Sequence, residues 1–167
     1  MVSRGAALDF LTARKKVTPV HLAADNNCTE TIKYLANKGA NLNLQSFDGS
    51  TALYTAAEKG FDKVVKILLQ HRASPDIPNN EGLYPIHLAA ENNRYLSVKC
   101  LVENGAMEAI NADGNTPLLV AARSGSYDVF NLLLKNNATL TFKNPPNRSR
   151  SYALTCRSRS PCYVPED

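Results

Sequence analysis

Three histidines, four cysteines and fifteen carboxylates are the side chains of this 167-residue chain best suited to act as acids, bases, nucleophiles or ligands. A protein-bound zinc or iron centre needs Cys or His at close, paired spacing. The cysteines stand at 28, 100, 156 and 162 and the histidines at 21, 71 and 87, with no such pairing. No Gly-rich phosphate loop and no nucleophile elbow occurs along the chain. Two histidines do share a setting: His21 in Pro19-Val20-His21-Leu22-Ala23-Ala24 and His87 in Pro85-Ile86-His87-Leu88-Ala89-Ala90. A histidine that recurs with its whole surroundings is read as a structural hydrogen-bonding group rather than a base. No catalytic residue, cofactor or metal is therefore expected, and the carboxylates are left as the groups most able to meet a ligand.

The shared setting belongs to a longer pattern, which must position everything else. Thr18-Pro19-Val20-His21-Leu22-Ala23-Ala24 returns as Thr51-Ala52-Leu53-Tyr54-Thr55-Ala56-Ala57, as Tyr84-Pro85-Ile86-His87-Leu88-Ala89-Ala90 and as Thr116-Pro117-Leu118-Leu119-Val120-Ala121-Ala122. The starts are 33, 33 and 32 residues apart, and a second landmark keeps step at Gly39-Ala40, Arg72-Ala73, Gly105-Ala106 and Asn137-Ala138. A period of this length marks a stacked repeat, because one unit cannot bury its apolar face alone. The threonine can cap a helix with its hydroxyl, and proline fits the first helical position, where its missing N–H is not needed. Asn27, Gly60, Asn93 and Gly125 should end that helix, since Asn and Gly enter the left-handed conformation most readily. A second helix follows, its apolar stripe carried by Ile32 and Leu35, then Val65, Leu68 and Leu69, then Val98, Leu101 and Val102, then Phe130, Leu133 and Leu134. Cys100 falls on that helix at a core-packing position.

The unit resembles the ankyrin repeat, with its Thr-Pro-Leu-His start, Ala-Ala pair and Leu-Leu helix, over about residues 13–143. The resemblance implies an all-α solenoid of about four helix-turn-helix repeats joined by short β-hairpin fingers, curved so that one face is concave. Residues 1–17 read as a partial N-terminal repeat or hairpin, 18–143 as the four repeats and 144–167 as a disordered basic tail. Gly5-Ala6-Ala7-Leu8-Asp9 echoes Gly39-Ala40-Asn41-Leu42-Asn43, so a fragment or shortened isoform of a longer array is one expectation. Some units depart from the pattern. Lys15-Lys16 replaces the Asp-Gly of Asp48-Gly49 and Asp113-Gly114, and fraying is expected there. Arg72 stands where a left-handed Gly or Asn is usual, at a cost of about 1 kcal/mol. Tyr84 replaces a capping threonine, a deficit of about 1 kcal/mol. The finger between copies three and four, within Met107 to Ala112, is one residue short.

Charge is nearly balanced over the repeats, and the excess of +4 lies mostly in the tail, which carries Lys143, Arg148, Arg150, Arg157 and Arg159. Pro, Ser and Arg without apolar periodicity read as disorder, with Ser160-Pro161 a candidate phosphorylation or docking motif. No apolar run approaches a membrane span. With unpaired cysteines and no secretion signal, a cytoplasmic or nuclear protein is expected.

What the resemblance implies for function is a non-catalytic scaffold, adaptor or inhibitor that binds a protein partner on its concave face. Two alternatives remain, a nucleic-acid-associated protein acting through the basic tail, and an ankyrin fragment of a larger enzyme or channel. Carrying the family's partner-facing positions onto this sequence gives Phe47, Asp48, Ser50, Glu58 and Lys59 from copy two. Copy three supplies Asn80, Glu81, Leu83, Glu91 and Asn92. Copy four supplies Asp113, Asn115 and Arg123, with Ala112 and Ser124 beside them, and copy one adds Asp25 and Asn26. Six carboxylates on that face oppose only Lys59 and Arg123. A partner segment rich in Lys or Arg, with a large apolar residue to anchor it, is therefore expected. The opposite face carries more lysines than acids. Asn43, following Asn41-Leu42, resembles the preferred target of the asparagine hydroxylase that modifies such repeats.

Overall fold

The computed structural model describes residues 8, 9, 12 and 15–138. The expectations placed on most of segment 1–17, on the tail 144–167 and on its Ser160-Pro161 motif lie outside the described residues. Within them the chain forms eight helices in four pairs: α1 Pro19–Asp25 and α2 Thr29–Asn37, α3 Ala52–Lys59 and α4 Asp62–Gln70, α5 Pro85–Glu91 and α6 Tyr95–Glu103, α7 Pro117–Ser124 and α8 Tyr127–Lys135. The first helices of the pairs pack in one row, α1 on α3 on α5 on α7, and the second helices form the other row. Each copy thus touches its neighbours in sequence, as a stacked repeat must.

The ends of the first helices follow from single residues. Thr18, Thr51 and Thr116 accept the backbone N–H of His21 (3.4 Å), Tyr54 (3.2 Å) and Leu119 (3.4 Å) on their hydroxyl oxygens. Tyr84 makes no such bond; the N–H of His87 turns instead to the Tyr84 carbonyl at 3.0 Å. Past the helix ends, Asn27, Gly60, Asn93 and Gly125 are all left-handed, with φ of 56°, 74°, 53° and 73°. Arg72 is left-handed as well (φ 65°), matching Gly39, Gly105 and Asn137 at the end of the second helices. Several helices also close on an asparagine: the side-chain amides of Asn26, Asn92, Asn104 and Asn136 each donate to the carbonyl four residues back, at 2.8–3.0 Å.

The core is the seam between the two rows and between copies. Ile32, Leu53, Leu68, Ile86, Leu101, Leu118 and Leu133 are fully buried along it, with the Ala-Ala pairs Ala56-Ala57 and Ala89-Ala90 letting neighbouring helices approach closely. Leu8 packs against this core, and the Asp9 carboxylate accepts the N–H of Asn41 (2.9 Å). Asn43 does the same for the next finger, its side-chain oxygen accepting the N–H of Ser74 (2.8 Å).

The fingers correct one expectation: among the described residues no strand is formed. Each finger is a single closed turn, with the N–H of Ser46 on the Ser50 carbonyl (2.9 Å), of Asn79 on Leu83 (2.9 Å) and of Asn111 on Asn115 (3.1 Å). So few bonds within a finger do not extend into a ladder, and the fingers pair with each other instead. The N–H of Asn80 donates to the Asp48 carbonyl (3.0 Å), and its side-chain amide to the carbonyl of Phe47 (2.9 Å). That close approach needs Gly49: a Cβ there would stand 2.5 Å from the Asn80 side-chain oxygen and 2.6 Å from its nitrogen, and φ is +80°. The shortened connection after α6 is taken up by one 3-10 turn, Ala106–Glu108.

Candidate functional site

His21 and His87 are buried and spent on the scaffold. The Thr18 N–H donates to Nδ1 of His21 (3.2 Å), so that nitrogen carries no proton, and Nε2–H donates to the carbonyl of Ser50 in the next finger (3.0 Å). His87 repeats the arrangement with the N–H of Tyr84 (3.3 Å) and the carbonyl of Asn115 (3.1 Å). Burial lowers both histidines below their ordinary pKa, His87 to about 4, which keeps the imidazoles neutral as this pattern requires. His71 is exposed at the end of α4.

The partner-facing positions divide into two groups. One encloses a groove of about 610 Å³ between copies two and three, bounded by α3, the finger before it and the finger after it. Phe47, Asp48, Ser50, Glu58, Lys59, Asn80 and Glu81 line it, and Asp25 reaches it from copy one. The remaining positions, Leu83, Glu91, Asn92, Asp113, Asn115 and Arg123, are not brought into that lining. Glu91 and Asn92 are exposed at the end of α5, Asp113 on the last finger and Arg123 near the end of α7. Leu83 is half-buried.

Hydrogen bonding further separates what a partner could reach from what the fold already uses. Ser50 is 6% exposed, its carbonyl held by His21 and its hydroxyl donating to Asp48 (3.0 Å). Asn115 gives its carbonyl to His87 and its N–H to the side chain of Asn111 (2.9 Å). Asn80 and Asn92 are committed to the neighbouring finger and to their own helix end. Asp48 closes its finger with the hydroxyl of Ser46, the largest reason its pKa lies below the usual carboxylate value. Lys59 is bound by Asp25 in copy one, through the carboxylate at 2.6 Å and the backbone carbonyl at 3.1 Å. The groove's one lysine is thus neutralised where it stands, while Glu58 and Glu81 have no ion-pair partner among the described residues. Phe47 is 72% exposed at the rim.

Three lining residues were not singled out by sequence: Tyr54, Thr55 and Asn79. Tyr54 is the informative one. Burial first, and then the charges of Glu58, Glu81, Asp48 and Glu91, push its phenol up to about 12. The sequence did contain a signal, since Tyr54 occupies the position that His21 and His87 fill elsewhere. Asn79 likewise aligns with Asn111, and its side-chain oxygen accepts two finger N–H groups, of Glu81 (3.0 Å) and Leu83 (2.9 Å).

Among the described residues no group of three or more His, Cys, Asp or Glu side chains could hold a metal ion, and no helix is long and apolar enough to cross a membrane. Cys28 is exposed and Cys100 half-buried; burial raises the Cys100 thiol.

Comparison with known proteins agrees with this geometry. A family model describing ankyrin repeats in three copies matches residues 1–79 and 71–144. The chain is also similar to the B-cell lymphoma 3 protein homolog of Mus musculus, 33% identical over 60 residues, which is 36% of this chain and 13% of that protein. The match thus spans a small part of that relative's length.

Proposed function

The chain belongs to the ankyrin-repeat family, and we propose that it is a non-catalytic scaffold, adaptor or inhibitor that binds a protein partner through the groove between copies two and three. The partner's segment is rich in Lys or Arg and carries at least one large apolar residue. The observation that carries the reading is that Asp48, Glu58 and Glu81 line one groove whose lysine, Lys59, is already bound by Asp25, beside the exposed ring of Phe47. Charge complementarity mainly speeds encounter, while a desolvated apolar contact slows release. Asp113 and Arg123 lie further along the same row of copies and extend the contact. A protein of this kind acts in the cytoplasm or nucleus, where Cys28 and Cys100 stay reduced.

The reading is tested with a partner verified by reciprocal capture. Replacing Glu58, Glu81 and Glu91 together by Lys should slow association at least tenfold at low salt, and binding of the parent should weaken as salt rises, because exposed charges are screened over about 8 Å at 0.15 M. Phe47→Ala should leave the association rate nearly unchanged and speed dissociation. A triple variant that associates as fast as the parent at low salt would refute the acidic-groove reading.

A further inference from the structure

The groove holds an unused hydrogen-bond donor. In copies one and three a histidine turns its Nε2–H onto the main-chain carbonyl of the next finger. In copy two that place is taken by Tyr54, whose longer side chain reaches the side chain of Asn79 instead. The Tyr54 oxygen accepts from the Asn79 amide at 3.0 Å, and the phenol hydrogen has no acceptor among the described residues. Tyr54 is only 7% exposed, yet it lines the groove. The hydroxyl lies on the open groove and is not an unsatisfied buried group, so a ligand carbonyl placed there exchanges a hydrogen bond with solvent for one with the ligand.

The residues around it ask for a cation. Glu58 and Glu81 line the same groove without ion-pair partners among the described residues, and Lys59 cannot serve them because Asp25 holds it. The Phe47 ring at the rim offers an apolar surface on which a planar cation can stack. A peptide residue with a cationic side chain meets both demands at once, through its main-chain carbonyl and its charged head. A guanidinium fits better than an ammonium, since it is planar, less strongly hydrated and able to face two carboxylates along different edges.

We infer that the space between copies two and three is a subsite for one arginine of the partner, its main-chain carbonyl accepting from the Tyr54 hydroxyl, its guanidinium between Glu58 and Glu81 and against Phe47. This rests on the protein-binding reading above and sharpens it to one residue. The volume of about 610 Å³ is ample for such a side chain with its flanking peptide groups.

The test needs no partner. N-acetyl-arginine N-methylamide is titrated into the isotopically labelled full chain at low salt, with N-acetyl-citrulline N-methylamide, of the same shape without charge, as its comparison. The arginine probe should give saturable amide shifts at Phe47, Tyr54, Glu58 and Glu81 with a Kd on the order of 1 mM, and the citrulline probe should bind at least about tenfold more weakly. Tyr54→Phe and Glu81→Gln, each checked for an unchanged helical spectrum, should weaken the arginine probe about three- to tenfold. Equal binding of citrulline, unchanged affinity in both variants, or unsaturated shifts shared with the distant Glu30 and Asp128 would overturn the subsite. A verified partner lost on charge reversal but indifferent to Tyr54→Phe and Glu81→Gln would remove the subsite and leave the protein-binding reading standing. A partner indifferent to every one of these changes would remove both.

Discussion

Lowering the pH from 6.5 to 4 should strip about 3 kcal/mol from the stability of the stack through His87 alone. Its pKa falls from 6.5 in the unfolded chain to about 4 in the fold, chiefly because burial disfavours the charged ring. At about 1.4 kcal/mol per pKa unit, the shift converts to that figure. The direction follows from where protons bind. Above pH 6.5 the ring is neutral in both states and costs nothing. Between 6.5 and 4 the unfolded chain takes up a proton that the folded one refuses, so stability declines as pH falls, and below about 4 the contribution is fully lost. His21 adds to the decline in the same direction, its lowering by burial partly opposed by the Ser50 carbonyl and the charge of Asp48. Urea unfolding across this range measures the effect. Carboxylates begin to titrate near its lower end, so the comparison that isolates the imidazole is with His87→Gln, whose amide can still donate to Asn115 but cannot charge. The variant should lose about 3 kcal/mol less than the parent between the two pH values. Equal pH dependence in parent and His87→Gln would show that the ring does not remain neutral in the fold.

Leu53→Ala should cost about 3 kcal/mol, comparable in size and independent of pH. Leu53 is fully buried on α3, whose neighbours α1, α4 and α5 close it in from both adjoining copies. Truncation removes three carbons' worth of transfer energy and leaves a cavity that helices fixed on both sides cannot fill. Against a total stability of 5–15 kcal/mol for a typical domain, the loss is a large fraction. It should appear as a fall of about 1–3 M in the urea midpoint, given slopes of about 1–3 kcal/mol per M. Leu22, half exposed on α1, provides the contrast, and Leu22→Ala should change stability by about 0.5 kcal/mol or less. If the two changes cost the same, the burial argument fails.

The parts of the fold legible in the sequence were those decided by one or two residues within a copy. Thr18, Thr51 and Thr116 cap their helices as their type suggests, and Asn27, Gly60, Asn93, Gly125 and even Arg72 adopt the left-handed conformation that their places demand. The missing cap at Tyr84 was equally plain. What could not be read depends on contacts between copies. Whether a finger becomes a strand ladder or a turn depends on how Asn80 engages Phe47 and Asp48, 32 or 33 residues away. The burial of Ser50 follows from His21 in the preceding copy, and the neutralisation of Lys59 from Asp25. Tyr54 stands where two other copies have histidine, but residue type alone does not show that its hydroxyl meets the Asn79 side chain rather than a finger carbonyl. Residue type at a repeat position names a face, and only the neighbouring copy determines whether the side chain is free on it.

The two parallel rows, in which each helix pair packs on the next, also make the chain an elastic element. Held at its ends and pulled, such a stack shares its core from copy to copy, so each copy can detach from its neighbour in turn. A released unit of 33 residues spans about 110 Å when extended, and it gives up about 10 Å of stack thickness. The chain then lengthens in steps of about 100 Å, each repaid when the copy refolds onto its neighbour. A partner held in the groove between copies two and three would join the pair most directly, so its binding would be felt as a stiffening of the middle of the spring.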